Sequence, residues 1–142
     1  MEFNLNNFIT VKKQTLGARK ATEPFVSLGR TGFTFNSYIV NHTNIIKKFV
    51  QIKIDAASGK IAFVFSPFQL ENSFKVSIPK KDKAFKGSAS TTSKSVTNYL
   101  NDETDFVNTL IYRYRFKAEI SEEQGIVMID LRDPYTKKKV AK

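Results

Sequence analysis

Residues 48–65 read KFVQIKIDAASGKIAFVF, and the alternation in that stretch decides the fold. Val50, Ile52 and Ile54 fall on one face of an extended segment and Phe49, Gln51 and Lys53 on the other, because successive side chains of a strand point to opposite sides. Asp55-Ala56-Ala57-Ser58-Gly59 supplies turn chemistry, with Gly59 free to take a positive φ. Ile61, Phe63 and Phe65 carry the apolar face back, and Pro67 ends the second strand. The spacing predicts a β-hairpin.

The same pattern returns in residues 114–131, YRFKAEISEEQGIVMIDL. Moving 66 positions along, from Val50 to Phe116, places Ile52 on Ala118, Ile54 on Ile120, Gly59 on Gly125, Ile61 on Val127, Phe63 on Ile129 and Phe65 on Leu131. Every apolar position stays apolar and the turn glycine is kept. Upstream of each hairpin the order also repeats: a strand, a glycine-containing turn, a short strand, then a short helix. In this alignment Gly32 matches Gly87, Ser37 and Thr92 are candidate helix N-caps, and an insertion falls around residues 101–111. Two copies are too few for a solenoid, which needs about three. Two half-sheets that cover each other's apolar faces and edges form a closed or pseudo-symmetric β-structure instead.

The expected fold is therefore mainly β, a β-dominated α+β chain: an internally duplicated sheet or barrel-like domain with two short helices. The expected organisation is an N-terminal arm over residues 1–24, a duplicated domain over 25–131 (repeat 1 about 25–67, repeat 2 about 72–131), and a basic C-terminal tail over 132–142. The tail, RDPYTKKKVAK, contains Pro134 and carries five cations against Asp133 alone, a composition suited to a loosely held end.

Gly32-Phe33-Thr34-Phe35, the segment onward to Ile46, and the hairpin 48–65 resemble the swapped-hairpin β-barrel units of AbrB-type transcription factors. In that family a glycine-containing strand leads into a short helix and then a strand–turn–strand. The resemblance implies a barrel of interleaved hairpins and a regulator that binds duplex DNA. The family's helix-entrance proline is absent here, and no binding residue is carried across.

Charge points toward a partner class. The chain has 142 residues, with 23 Lys and Arg against 13 Asp and Glu, a formal charge of +10. A balance this basic favours a polyanion, most commonly nucleic acid; a solvated lysine-rich surface is the plainer alternative. The absence of Cys excludes disulfides and thiolate metal sites. No apolar run reaches the 18 or so residues of a membrane span, and the first ten residues lack a signal peptide's basic and apolar order. A cytoplasmic setting without membrane contact is the expectation, in a host cell if the chain is viral.

Catalytic chemistry has little to stand on. His42 is the sole histidine, within a polar stretch read as helix surface. Asp102, Glu103 and Asp105 fall in the insertion and Glu122-Glu123 in a hairpin turn, where a solvated-turn reading accounts for them. GRTGF at 29–33 has neither Walker nor dinucleotide spacing. No enzyme activity, cofactor or metal is expected.

The most informative strand is YRYRFKA, 112–118: Tyr112, Tyr114 and Phe116 face one way, and Arg113, Arg115 and Lys117 the other. Three cations at spacing two make a row about 13 Å long at roughly 3.3 Å per residue, suited to tracking phosphates or stacking on bases. The equivalent positions in the first copy are Lys47, Phe49 and Gln51, which makes Phe49 a candidate exposed aromatic. Two loops at equivalent ends add Arg30 in the first copy and Lys80, Lys81, Lys83 and Lys86 in the second. Edge protection is the competing explanation for such cations. The expectation is a non-catalytic nucleic-acid-binding protein that slightly prefers single-stranded DNA, bound through a basic β-surface with exposed aromatics. The alternatives are a protein-interaction or structural module of phage type, or a duplex-binding regulator, and homo-oligomerisation is left open.

Overall fold

The computed structural model describes residues 2–10, 22–43, 49–77 and 87–140. Lys47, Lys80, Lys81, Lys83 and Lys86 lie outside the described residues.

The two expected hairpins form, and with one shared register. β3 (Phe49–Asp55) and β4 (Lys60–Ser66) pair Val50 with Phe65, Ile52 with Phe63 and Ile54 with Ile61. β7 (Tyr112–Ser121) and β8 (Ile126–Asp130) pair Ala118 with Ile129 and Ile120 with Val127, the same partners 66 positions along. Both turns close on a glycine at positive φ, 73° at Gly59 and 66° at Gly125, where a Cβ would crowd the backbone.

Ahead of each hairpin the element order also repeats. β1 (Phe25–Leu28), β2 (Gly32–Phe35) and α1 (Ser37–Thr43) precede β3; β5 (Ser73–Lys75), β6 (Ala89–Thr92) and α2 (Lys94–Glu103) precede β7. The strands are ordered β5-β3-β4-β8-β7-β1-β2-β6. A Ser77–Ser90 bridge just beyond β5 draws the two ends of that order together. Exchanging β1, β2, β3 and β4 with β5, β6, β7 and β8 turns these pairings into one another, except that β1–β2 is answered only by the Ser77–Ser90 bridge. β1 on β7 becomes β5 on β3, while β2–β6 and β4–β8 map onto themselves. The chain is a mainly β, nearly closed antiparallel barrel in which the opening strand of each half pairs with the closing hairpin of the other.

The barrel interior explains why the alternation was legible. Phe33, Phe35, Phe63 and Phe65 are buried and meet edge to face, with ring centroids 4.9–5.3 Å apart. Phe116, Val127, Ile129 and Leu131 enter the same core from the second half. The helices add Ile39 and Val40 from α1 and Leu100 from α2. The expected insertion, 101–111, divides between the end of α2 and loop 104–111, which is held by Asn101, whose side chain exchanges two 2.8 Å hydrogen bonds with Thr109.

Four expectations are corrected here. Ser37 is the first helical residue of α1, and the side-chain oxygen of Asn36 before it accepts the Ile39 N–H. Thr92 ends β6, and Ser93 is the N-cap of α2. Gly32 lies within β2, paired with Thr92, whereas Gly87 stands outside β6, so the two glycines are not equivalent. The largest change concerns the C-terminal tail. β7 is ten residues long, but β8 pairs only with its last four, leaving the edge at Tyr112–Arg115 open. The chain turns after Leu131 and fills that edge with β9 (Thr136–Lys139), pairing Arg113 with Lys138 and Arg115 with Thr136. An unpaired row of backbone donors and acceptors beside the core is the physical reason this basic segment is ordered.

Candidate nucleic-acid interface

The outer faces of β6, β2, β1, β7 and β9 make one continuous surface, and its residues follow from strand register. Ser90, Thr34, Ser27, Arg115 and Thr136 lie side by side across the five strands. The neighbouring row holds Thr92 beside Gly32, whose carbonyl accepts the Gly29 N–H, and then Arg113 beside Lys138. Small hydroxyls and bare backbone thus form a floor, and long cations stand along one side. The result is a groove of about 720 Å³ whose lining includes Arg30, Arg113, Arg115 and Lys138 and, among the described residues, no Asp, Glu or His.

Arg30 is fixed at one end of the groove. Its guanidinium donates to the Leu110 carbonyl at 2.7 Å, and its own carbonyl accepts the Thr97 hydroxyl at 2.9 Å. The insertion loop and α2 therefore orient this β1–β2 loop. Among the described residues no carboxylate pairs with the groove cations: Glu122 is hydrogen-bonded to His42 and Asp130 forms an ion pair with Arg132, both elsewhere. Hydroxyls and guanidinium groups supply donors suited to phosphate oxygens.

At the other end the surface becomes aromatic. The Arg115 guanidinium lies 4.0 Å from the centre of the Phe25 ring. Phe25 in turn packs on Tyr135 at 4.9 Å, and the Lys117 ammonium stands 5.3 Å from the Tyr135 ring. Glu119, next on the same face of β7, marks where the cationic row ends.

The structure brings together Arg113, Arg115 and Arg30 around the groove, with Lys117 at its aromatic end. Phe49 does not join them: it is half-buried on β3, with β4 and β8 between it and β7 in the strand order. Reasoning from the sequence missed Ser27, Thr34, Ser90, Thr92, Lys138 and Tyr135. The hydroxyls had a signal in the alternation of GFTF and ASTT, where a polar side chain stands every second residue. Lys138 and Tyr135 depended on the unforeseen ninth strand. Among the described residues no three His, Asp or Glu side chains gather as a metal-binding group, and no helix is long and apolar enough to cross a membrane. No family model, curated protein or solved structure matches the chain, and the chemistry of the groove is what bears on its ligand.

Proposed function

We propose that the chain binds nucleic acid without catalysis, its sugar–phosphate backbone lying along the groove of β6, β2, β1, β7 and β9, with single-stranded DNA preferred. One observation carries this reading: among the described residues, four cations and no carboxylate line a hydroxyl-floored groove, and none of the four has an ion partner there. Arg113 and Lys138 contact one stretch of backbone, Arg115 the next, and Ser27, Thr34 and Ser90 donate to phosphate oxygens from below. Such contacts fix position and affinity and read no base sequence. Binding of this kind falls steeply with salt, because each neutralised phosphate releases counterions.

The test is a titration of single-stranded and duplex oligonucleotides of mixed sequence over a range of salt concentrations. Tight, salt-steep binding that weakens in an Arg113→Gln/Arg115→Gln/Lys138→Gln variant is the expected result. No binding of either form at low salt overturns the proposal. Tighter binding of duplex would instead favour a regulator of the kind the AbrB-like resemblance implies. A protein-interaction module is the second reading, drawn from the N-terminal segment, where Phe3, Leu5, Phe8 and Ile9 are all exposed. An intracellular, cytoplasmic setting belongs to the same proposal.

A further inference from the structure

We infer that Tyr135 is a stacking platform for an unpaired nucleobase at the Lys117 end of the groove. This rests on the nucleic-acid reading above and deepens it, because a base can reach the ring only from a strand that is single at that point.

Tyr135 is held where a platform needs to be. Its backbone N–H donates to the Arg115 carbonyl at 2.7 Å, which anchors it to β7 just ahead of β9. Pro134 before it restricts the backbone further. One side of the ring rests against Phe25, which is only 8% exposed, yet Tyr135 itself stays 56% exposed. An aromatic side chain left that open, on a fixed backbone and backed by another ring, has a surface free for a partner.

Its surroundings define the partner. Arg115 lies over the Phe25 ring and the Lys117 ammonium over the Tyr135 ring at 5.3 Å, so an anion drawn to these cations arrives at the ring. A purely apolar ligand would have no use for the cations. A duplex would present phosphates but keep its bases stacked inside. A single strand offers both groups, since bases stack on aromatic side chains whatever their sequence.

The experiment uses the full chain and a short oligothymidylate with its mixed-sequence duplex counterpart. Tyr135→Ala is expected to weaken single-strand binding about 5- to 100-fold, to spare duplex binding and to leave the salt slope unchanged. Tyr135→Phe keeps the ring and is expected to bind like the wild type. Because Tyr135→Ala also uncovers Phe25, a second measurement leaves the protein intact: wild-type protein with oligonucleotides carrying one abasic site at successive positions. One of those positions should reproduce the loss, and Tyr135→Ala should be insensitive to it. The inference is overturned if Tyr135→Ala weakens single strand and duplex equally, or if no abasic position matters. Salt-steep binding with either of those outcomes leaves the groove proposal standing and removes only the platform. No binding of any oligonucleotide at low salt removes both.

Discussion

β3 and β7 hold equivalent places in the two halves, and they differ on one side only. Toward the barrel interior they carry Val50 and Phe116, Ile52 and Ala118, Ile54 and Ile120, apolar at every step. Toward the outside, Phe49 stands where β7 has Arg115, Gln51 where it has Lys117, and Lys53 where it has Glu119. The neighbours differ as well: β4 pairs all seven residues of β3, whereas β8 pairs the last four residues of β7 and β9 the first four. The inner face is bound by packing in a shared core, where a polar side chain would be buried without partners. The outer face takes no part in that core and is held only by local contacts such as Arg115 on Phe25 and Gln51 on the Glu71 carbonyl, so it is there that one half carries a basic groove and the other does not.

Breaking the inner face should cost most. Phe63→Ala and Phe116→Ala each remove a ring that is 0% exposed, and each should lower unfolding free energy by about 3–5 kcal/mol in denaturant titrations. Phe49→Ala, on the outer face, should cost about 1 kcal/mol or less. A loss at Phe49 as large as at Phe116 would show that both faces of β3 are bound by packing.

Charge on the outer face should act in the opposite sense, on binding and hardly on stability. Replacing Arg113, Arg115 and Lys117 together with Gln should reduce the slope of log affinity against log salt by about 2–3, at roughly 0.7–0.9 per phosphate contact. The matching change on the first half, Lys53→Gln with Lys60→Gln and Lys75→Gln, removes as many charges from strands β3, β4 and β5 and should leave the slope nearly unchanged. Equal effects from the two sets would mean that net charge matters and the groove does not.

The hairpin turns sharpen the comparison on a smaller scale. Gly59→Ala and Gly125→Ala both force a Cβ into a left-handed conformation, at about 1–2 kcal/mol each. They differ in surroundings: a Cβ at Gly125 would meet nothing closer than 3.6 Å, but one at Gly59 would lie 3.0 Å from Cγ of Arg132 and 3.3 Å from the Phe106 ring. Gly59→Ala should therefore be the more destabilising in thermal melts, and Arg132→Ala should narrow the gap. A Gly125 variant that is the worse of the two would mean that Arg132 and Phe106 do not crowd the first turn.

This contrast also explains what was legible in the sequence. The duplicated hairpins could be read because inner-face alternation and turn glycines are local signals, and both hairpins repeat them at one spacing. The row Arg113–Arg115–Lys117 was legible for the same reason. β9 was not, because nothing local in TKKK favours a strand; only the open edge of β7, a long-range consequence of β8 being short, gives it partners. Tyr135 and Lys138 were hidden with it. The helix caps were missed by one residue, since Asn36 beside Ser37 and Ser93 beside Thr92 offer equivalent capping chemistry in sequence. Phe49 was misplaced in the site because equivalence between repeats says nothing about which side of a barrel each repeat faces.

The smallest expected effect lies at the end of β8, where the halves differ by one titrating pair. Asp130 and Arg132 occupy the places of Val64 and Ser66 in the first hairpin. The Arg132 guanidinium donates to the Asp130 carboxylate at 2.9 and 3.1 Å, and its backbone N–H donates at 2.9 Å. These hydrogen bonds, with the nearby charges of Arg132 and Lys60, bring the Asp130 carboxyl from the usual 3.8 down to about 2. A carboxyl depressed on folding stabilises the native state fully above its unfolded value and loses that contribution as pH falls through its folded one. The contribution is therefore present at neutral pH and fades between about pH 4 and pH 2. Both side chains are solvent-accessible, so it is small. Melting temperatures of the wild type and Asp130→Asn should differ slightly at pH 7 and converge as pH drops through that window. A difference that stays constant down to pH 2, or widens, would show that Asp130 acts through its shape and hydrogen bonds at the Gly59 turn and not through its charge.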